Sequence, residues 1–341
     1  MDAMSDLLKT IQLSASTYIC EGGQGHWNMQ IQYRPQGIFH IVVSGSCYLR
    51  EGGHADAIAL QPGDVVAFPT GGMHWLSDGP EGQKMEAVNA VKVPGDEGLM
   101  LLKAGDITAK PVVVNAAETV IQVAELRHPM KQPGSDPEIA HASDSGETIL
   151  LSGTLSYDSS IDHPFLKSLP CFIHASTAGS RHNHGLKKLL DLLIETCRES
   201  YPGSSLATDR LIEILFVQLL RAHTSGKRQT DGYLAALSDR HIGLALNLIH
   251  TEKNAKWTVE TLCSAAAMSR TTFTQKFSEM VGCTPKAYLT DTRLMKARTK
   301  LQRTNQSLLS IAEEAGYSSE SAFGKAFKKH FNKSPGELRR G

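Results

Sequence analysis

Hydrophobic positions along this chain follow one rhythm at the start and another at the end. Up to about residue 110, short apolar runs are cut at regular intervals by glycine- and proline-rich turns. Ile38-Phe39-His40-Ile41-Val42-Val43 precedes Ser44-Gly45-Ser46, and Cys47-Tyr48-Leu49-Arg50 precedes Glu51-Gly52-Gly53. Ile58-Ala59-Leu60 precedes Gln61-Pro62-Gly63-Asp64, and Val65-Val66-Ala67-Phe68 precedes Pro69-Thr70-Gly71-Gly72. Strands punctuated in this way predict an antiparallel sandwich or barrel. Runs at 112–114 and 119–123 extend the pattern, with a loop expected around 129–137.

From residue 186 the period becomes helical. Leu186, Leu189, Leu190, Leu193 and Cys197 fall on one stripe, Tyr201-Pro202-Gly203-Ser204 breaks it, and Leu211, Ile212, Leu215, Phe216, Leu219 and Leu220 form a second. Two amphipathic helices joined by a short turn predict an αα-hairpin over 186–222. Its apolar residues lie on more than one side, as expected if the hairpin also packs against a second copy of the chain. Thr224-Ser225-Gly226-Lys227-Arg228-Gln229-Thr230-Asp231-Gly232 is polar and breaker-rich and reads as a linker.

The helical remainder contains a repeat. Leu262-Cys263-Ser264-Ala265-Ala266-Ala267-Met268-Ser269 parallels Ile311-Ala312-Glu313-Glu314-Ala315-Gly316-Tyr317-Ser318. Phe273/Phe323, Phe277/Phe327 and Pro285/Pro335 each lie 50 residues apart, with one extra residue in the second turn. Each copy has a helix of small and aliphatic residues, a tight turn, and a serine able to cap the next helix (Ser269; Ser318 or Ser319). The second helix of each carries Phe at i and i+4, which buries those rings. That leaves Arg270, Thr271, Thr274 and Gln275 on the polar face of one copy, and Glu320, Ser321, Gly324 and Lys325 on that of the other.

One such hairpin is no more than a solvated piece of an ordinary bundle. Charge changes the reading. The formal net charge is zero, yet residues 1–240 hold 19 Lys+Arg against 27 Asp+Glu and residues 241–341 hold 16 against 8, nets of −8 and +8. Two copies of a helix-turn-helix pattern in a basic segment point to double-stranded DNA, with each exposed second helix entering a major groove. The acidic segment then has another task.

Length and composition fit this division. The 341 residues exceed one typical domain, and 41% hydrophobic with 21% charged residues is ordinary for a globular protein. No apolar run approaches the roughly 18 residues of a membrane span, and the first residues lack the basic stretch of a signal peptide. A cytoplasmic chain is expected. Its six cysteines, at 20, 47, 171, 197, 263 and 283, have no metal-binding spacing and are expected as reduced thiols.

Several signatures occur in order in the C-terminal part. They are Trp257-Thr258-Val259-Glu260, Met268-Ser269-Arg270-Thr271-Thr272-Phe273, Val281-Gly282-Cys283-Thr284-Pro285-Lys286-Ala287-Tyr288-Leu289, the stretch from Ile311-Ala312 to Ala322-Phe323, and Ser334-Pro335-Gly336-Glu337-Leu338-Arg339. Together they closely resemble the DNA-binding domain of AraC/XylS-type transcription regulators. The resemblance implies seven helices, with two helix-turn-helix units joined by a long helix over 287–301 and recognition helices in successive major-groove faces. Carried over by position, Thr271, Thr274 and Gln275 face bases in the first unit. Glu320, Ser321 and Lys325 do so in the second, where Gly324 allows close approach. Gln reads adenine, Lys guanine and Glu cytosine N4. Arg270, Lys276, Lys328 and Lys329 are assigned to phosphates, which supply salt-dependent affinity. RNA polymerase is the implied protein partner, and activation the implied output.

Gly63-(x5)-Pro69-x-Gly71-(x2)-His74, ending at Asp78 where Asn is common, matches the second motif of cupins, which are small double-stranded β-barrels. With Met4-Ser5-Asp6-Leu7-Leu8, His40, Gln61-Pro62-Gly63-Asp64 and His163-Pro164-Phe165, the whole chain resembles AraC-type regulators that carry an N-terminal cupin. In cupin enzymes two His and a Glu join the His of the second motif around Fe, Mn or Zn. Here His40 is present, Val42 stands at the second His position, and Tyr48 and Leu49 lie near the place of the Glu. No metal or other cofactor is therefore expected, and His74 is expected as a hydrogen-bonded histidine of the barrel mouth. A dioxygenase-like metalloenzyme fused to a DNA-targeting module is the alternative.

Some members of the family answer reactive chlorine by cysteine oxidation, and Cys20 falls at a comparable place. The stretch Met85-Glu86-Ala87-Val88-Asn89-Ala90 has no cysteine, which leaves Cys47 as the other thiol of the barrel segment. Candidate effector residues are Cys20, Cys47, His26, His40 and His74, with a small organic ligand equally open. The chain is thus expected to be α+β. A cupin-like sensor barrel (1–180), a dimerising helical hairpin (186–222) and an all-α DNA-binding domain (238–341) would form a homodimeric transcription regulator.

Overall fold

In a computed structural model of the chain, the described residues are 2–80 and 148–340, apart from residues 12, 23–27, 32, 34–35, 53–55, 158–160, 162, 179–183, 199–201, 227–231 and 252–256. The runs at 112–114 and 119–123 and the loop at 129–137 lie outside them. The chain divides into two compact units. Ser14–Ser156 with Pro170–Gly226 forms one, and Met1–Leu13, Tyr157–Leu169 and Lys227–Gly341 form the other.

The first unit is built on β1 (Ser14–Gly22), β2 (Asn28–Ile31), β3 (Gly37–Ser44), β4 (Cys47–Glu51), β5 (Ile58–Leu60), β6 (Asp64–Phe68), β7 (His74–Ser77), β8 (Thr148–Ser156) and β9 (Ile173–Ser176). Strands β3 to β6 agree with the sequence reading to within one residue. The described strands make a five-stranded sheet, β1-β8-β3-β6-β9, and a four-stranded one, β2-β7-β4-β5, with antiparallel pairings. Alternation sends every second side chain to the same face. Ile38, Val42, Val66, Phe68 and Leu150 of the larger sheet therefore meet Ile31, Cys47, Leu49, Leu60 and Leu76 of the smaller one in a single buried cluster. The Gln61-Pro62-Gly63-Asp64 turn needs its glycine: φ is +86°, and an added Cβ would collide with Thr177 Oγ1.

Among the described residues the helices are α1 (Ala3–Thr10), α2 (Pro164–Lys167), α3 (His184–Arg198), α4 (Ser204–Gly226), α5 (Tyr233–Ser238), α6 (Ile242–Thr251), α7 (Val259–Ala265), α8 (Arg270–Val281), α9 (Pro285–Arg303), α10 (Leu308–Glu314), α11 (Glu320–Phe331) and α12 (Pro335–Arg340). None is long and apolar enough to cross a membrane. Helices α3 and α4 pack together and α4 lies against β1 and β9. They bury Leu186, Leu190 and Leu193 from α3, and Ile212, Leu215, Phe216, Leu219 and Leu220 from α4. Leu192, Leu206 and Ile214 stay exposed.

In the second unit α9 is shared by two hydrophobic groups. Tyr288 near its start meets Phe277 of α8 with ring centroids 5.6 Å apart. Leu294, Ala297 and Leu301 further along join Ile311, Ala312, Ala315, Phe323 and Phe327. Two pieces distant in sequence complete this unit. Helix α1 packs on α6 and α9, burying Ala3 and Leu7, and the Ala3 N–H donates to Asn247 Oδ1 at 2.9 Å. Helix α2 packs on α5 and buries Phe165.

Candidate functional site

The pairs α7–α8 and α10–α11 are locally the same object. At the end of α7 the Met268 N–H donates to the Cys263 carbonyl (3.0 Å) and the Ala267 N–H to that of Ser264 (3.1 Å). At the end of α10 the Tyr317 N–H donates to the Ala312 carbonyl (2.9 Å) and the Gly316 N–H to that of Glu313 (3.0 Å). Both are Schellman turns, which satisfy the last carbonyls of a helix through one left-handed residue. That residue is Gly316 in one copy and Ala267, at φ +51°, in the other. The alanine holds a conformation that costs a side chain about 1 kcal/mol or more. Ser269 and Ser319 then cap the following helices, accepting from the N–H groups of Thr272 and Ala322. Phe273 and Phe277, and Phe323 and Phe327, turn inward as fully buried pairs with centroids 5.6 and 5.4 Å apart.

The opposite faces are open. Arg270, Thr271 and Gln275 are exposed on α8, with Thr274 half-buried; Glu320, Ser321, Lys325, Lys328 and Lys329 are exposed on α11. A Cβ added at Gly324 would meet nothing within 4 Å. Two candidates carry light surface partners: Arg270 Nη1 lies 3.0 Å from Glu260 Oε1, and Gln275 Nε2 donates to Glu279 Oε1 at 2.9 Å. Exposed pairs of this kind are weak enough for a phosphate or a base to displace.

Lys276 is held more firmly. Its Nζ donates to Asp239 Oδ2 at 2.6 Å, and Asp239 Oδ1 also accepts the N–H groups of His241 and Ile242 at the start of α6. Desolvation pushes the Asp239 pKa up, but the Ile242 N–H, Lys276 and the His241 N–H outweigh it and leave it lowered. Lys276 thus ties α8 to α6, a role that residue type alone does not disclose. Asp239→Ala is expected to destabilise this unit by about 1–2 kcal/mol through the lost cap and ion pair. An unchanged urea midpoint would refute that assignment.

The sheet unit holds a second cluster. His40 and Ser152 lie directly opposite each other on β3 and β8, and His74 begins β7 of the other sheet. His40 Nδ1 is 2.7 Å from Ser152 Oγ, His40 Nε2 is 2.8 Å from His74 Nε2, and His74 Nδ1 is 2.7 Å from the Gly72 carbonyl. All three side chains are buried. A carbonyl only accepts, so His74 carries its proton on Nδ1 and accepts at Nε2. His40 then donates from Nε2 and accepts the Ser152 hydroxyl at Nδ1, which makes every bond with both rings neutral. The His74 ring stacks on Phe68 at 3.8 Å. Burial first, and the neighbouring His74 second, hold the His40 pKa well below 6.5.

This cluster does not fit a resident metal. Its donors are two imidazoles already bonded to each other, and Val42 faces the hydrophobic core where a third ligand would be required. Among the described residues no three His, Cys, Asp or Glu side chains come together as a metal site. Cys47 is buried, and desolvation followed by the Asp64 carboxylate pushes its pKa up to about 12. Such a thiol is almost wholly protonated at neutral pH and reacts slowly with oxidants. Cys20 stands on β1 opposite Leu150, with its side chain outside the described residues, and His26 lies outside them altogether.

Comparison with known proteins matches residues 2–225 to a family described as cupin and residues 262–341 to one described as helix-turn-helix domain. Similar curated proteins include the HTH-type transcriptional regulator AlkR of Acinetobacter baylyi, 27% identical over 99% of both chains. The HTH-type transcriptional regulator MtrA of Neisseria gonorrhoeae is 26% identical over all of this chain and 98% of its own. The RCS-specific HTH-type transcriptional activator RclR of Escherichia coli is 32% identical over 58% of this chain and 69% of its own.

Proposed function

This chain belongs to the AraC/XylS-type transcription regulators that carry an N-terminal cupin, and from that premise we propose how it divides its work. It is a sequence-specific DNA-binding regulator and not an enzyme. One observation carries the finer reading: the same Schellman turn, serine cap and buried phenylalanine pair occur twice in a segment of net charge +8. We read α7–α8 and α10–α11 as two helix-turn-helix units whose second helices enter successive major grooves. Thr271, Thr274, Gln275, Glu320, Ser321 and Lys325 read base edges, with Gly324 allowing close approach. Arg270, Lys328 and Lys329 hold phosphates, and Lys276 joins them only by leaving Asp239.

The sensor is a closed cupin barrel within the expected span 1–180, less 1–13 and 157–169, which pack in the helical unit. The hairpin at 186–222 joins two protomers through Leu192, Leu206 and Ile214, and 238–341 binds DNA. Bound at a promoter in the cytoplasm, the dimer activates by contacting RNA polymerase. The signal is a small organic molecule in the barrel. An oxidant acting at Cys20 is the second reading, favoured by the likeness to an activator named as RCS-specific.

The test is binding of the full chain to duplexes from its own upstream region. Lys325→Ala is expected to weaken the specific complex by about 1–3 kcal/mol and to relax preference at one position. Lys328→Ala is expected to weaken all sequences alike and to lower the salt slope by about 1; a sequence-selective loss would overturn its phosphate role. Mild oxidant that changes binding in wild type but not in Cys20→Ser makes the protein a thiol sensor. Indifference to oxidant gives the signal to the small molecule.

A further inference from the structure

The ends of β1 and β8 lie side by side, with Ser14 paired to Ser156. From this one point the chain leaves the sheet unit in both directions and enters the helical unit. Upstream of Ser14 it becomes α1, docked on α6 and α9. Downstream of Ser156 it continues into 157–169, which buries Ile161, His163, Phe165 and Leu169 and packs α2 on α5. Helix α1 ends at Thr10 and β1 begins at Ser14, so little chain intervenes to absorb a movement.

The seat of these two segments is a buried polar chain. Tyr233 and Tyr288 hydroxyls are 2.5 Å apart, His250 Nε2 is 2.7 Å from Tyr288 Oη, and His250 Nδ1 donates to Asp6 Oδ2 at 2.8 Å. Hydrogen bonds link Tyr233, Tyr288 and His250 in turn to the Asp6 carboxylate, which accepts from His250 Nδ1. The chain thus starts on α5, crosses α9 and α6, and ends on α1. His163 sets its ring edge-on to Tyr233 and Tyr288 at 5.6 and 5.5 Å, so both segments meet the same cluster. Tyr288 in turn touches Phe277 on the buried side of α8. Withdrawing Asp6 strands the buried His250 Nδ1–H, which is costly, so seated and unseated are discrete states rather than a continuum.

We propose that the paired ends of β1 and β8 are the output of the sensor, and that α1 and the 157–169 segment are its two straps on the DNA-binding unit, seated through Asp6, His250, Tyr288 and Tyr233. A change that frays or shifts this strand pair pulls on both straps at once and reaches α8 through Tyr288 and Phe277. The proposal rests on the sensor-and-output division given above. Its test uses neither effector nor DNA, so its failure leaves that division standing.

The experiment is amide hydrogen exchange on the full-length protein. Leu155 of β8 is buried and pairs with Ala15 and Gly37. Leu155→Ala should loosen the strand pair and speed exchange in Ala3–Thr10 and Ile242–Thr251 by about tenfold, with little change in α10 and α11. Leu155→Val replaces it should the alanine variant lose its sheet. A six-residue Gly-Ser spacer before Leu13 and another after Tyr157 should leave Ala3–Thr10 protected on their own and abolish the effect of Leu155→Ala. By reciprocity, Asp6→Asn should speed exchange at the Ser14 and Ser156 ends in the native chain but not in the spacer chain. Three results would overturn the proposal: faster exchange in the β1–β8 pair with none in α1, an effect that survives the spacers, or spacers that alone strip α1 of protection.

Discussion

Phe273→Ala is expected to destabilise the DNA-binding unit by about 3–5 kcal/mol, the usual cost of emptying a fully buried phenylalanine site. Phe273 has no exposed surface and lies against Phe277, which in turn meets Tyr288 of α9. Helix α8 has 12 residues and buries only Phe273, Phe277 and Val281. An isolated helix of that length is marginal in water, so its packing decides whether it forms. Since a domain commands only about 5–15 kcal/mol in all, the variant should lose DNA binding on mild warming while keeping it in the cold. Urea unfolding reads the effect directly. A wild-type midpoint would mean that the ring is not core and that α8 is held by something else.

Acidification is expected to weaken the sheet unit through His40. The unfolded chain takes up this proton near pH 6.5, whereas the folded chain, with its pKa held well below that value, does not. The unfolded state therefore binds more protons, and stability falls as pH drops below about 6.5, by up to about 1.4 kcal/mol per unit. The loss stops only when the folded-state His40 itself titrates. Protonation there also reverses the bond to Ser152, since His40 Nδ1 would donate where it now accepts and the hydroxyl would have to turn. His40→Gln, which reaches the same neighbours without titrating in this range, should flatten the dependence. Equal slopes for wild type and His40→Gln between pH 7.5 and 5 would refute the account.

How legible these features were depends on whether their cause is local. The four strands from Gly37 to Phe68 announce themselves because turn residues bound each apolar run. The duplicated helix pairs do so because their caps and phenylalanines recur at a fixed spacing. Helix α1 gives no such signal. It is eight residues long, half of them polar, and it persists because it buries Ala3 and Leu7 while packing on α6 and α9, well over 200 residues further on. His40 and His74 were each visible as motif residues, but their shared hydrogen bond is made across two sheets. Lys276 reads as a phosphate contact from its position alone, and its bond to Asp239, 37 residues earlier, lies beyond any local pattern.

Helix α9 has a consequence for the genome rather than for the protein. Its 19 residues form one unbroken helix about 28 Å long, anchored near its start by Tyr288 and further along by Leu294, Ala297 and Leu301. A spacer fixed in this way neither stretches nor twists to suit its target. Inserting one base pair between the two contacted segments of an operator moves the second by about 3.4 Å and turns it by about 35°. On the proposed reading, in which α8 and α11 each enter a groove, a promoter falls out of this regulator's reach with every contacted base intact, because membership is set by a length as well as by letters.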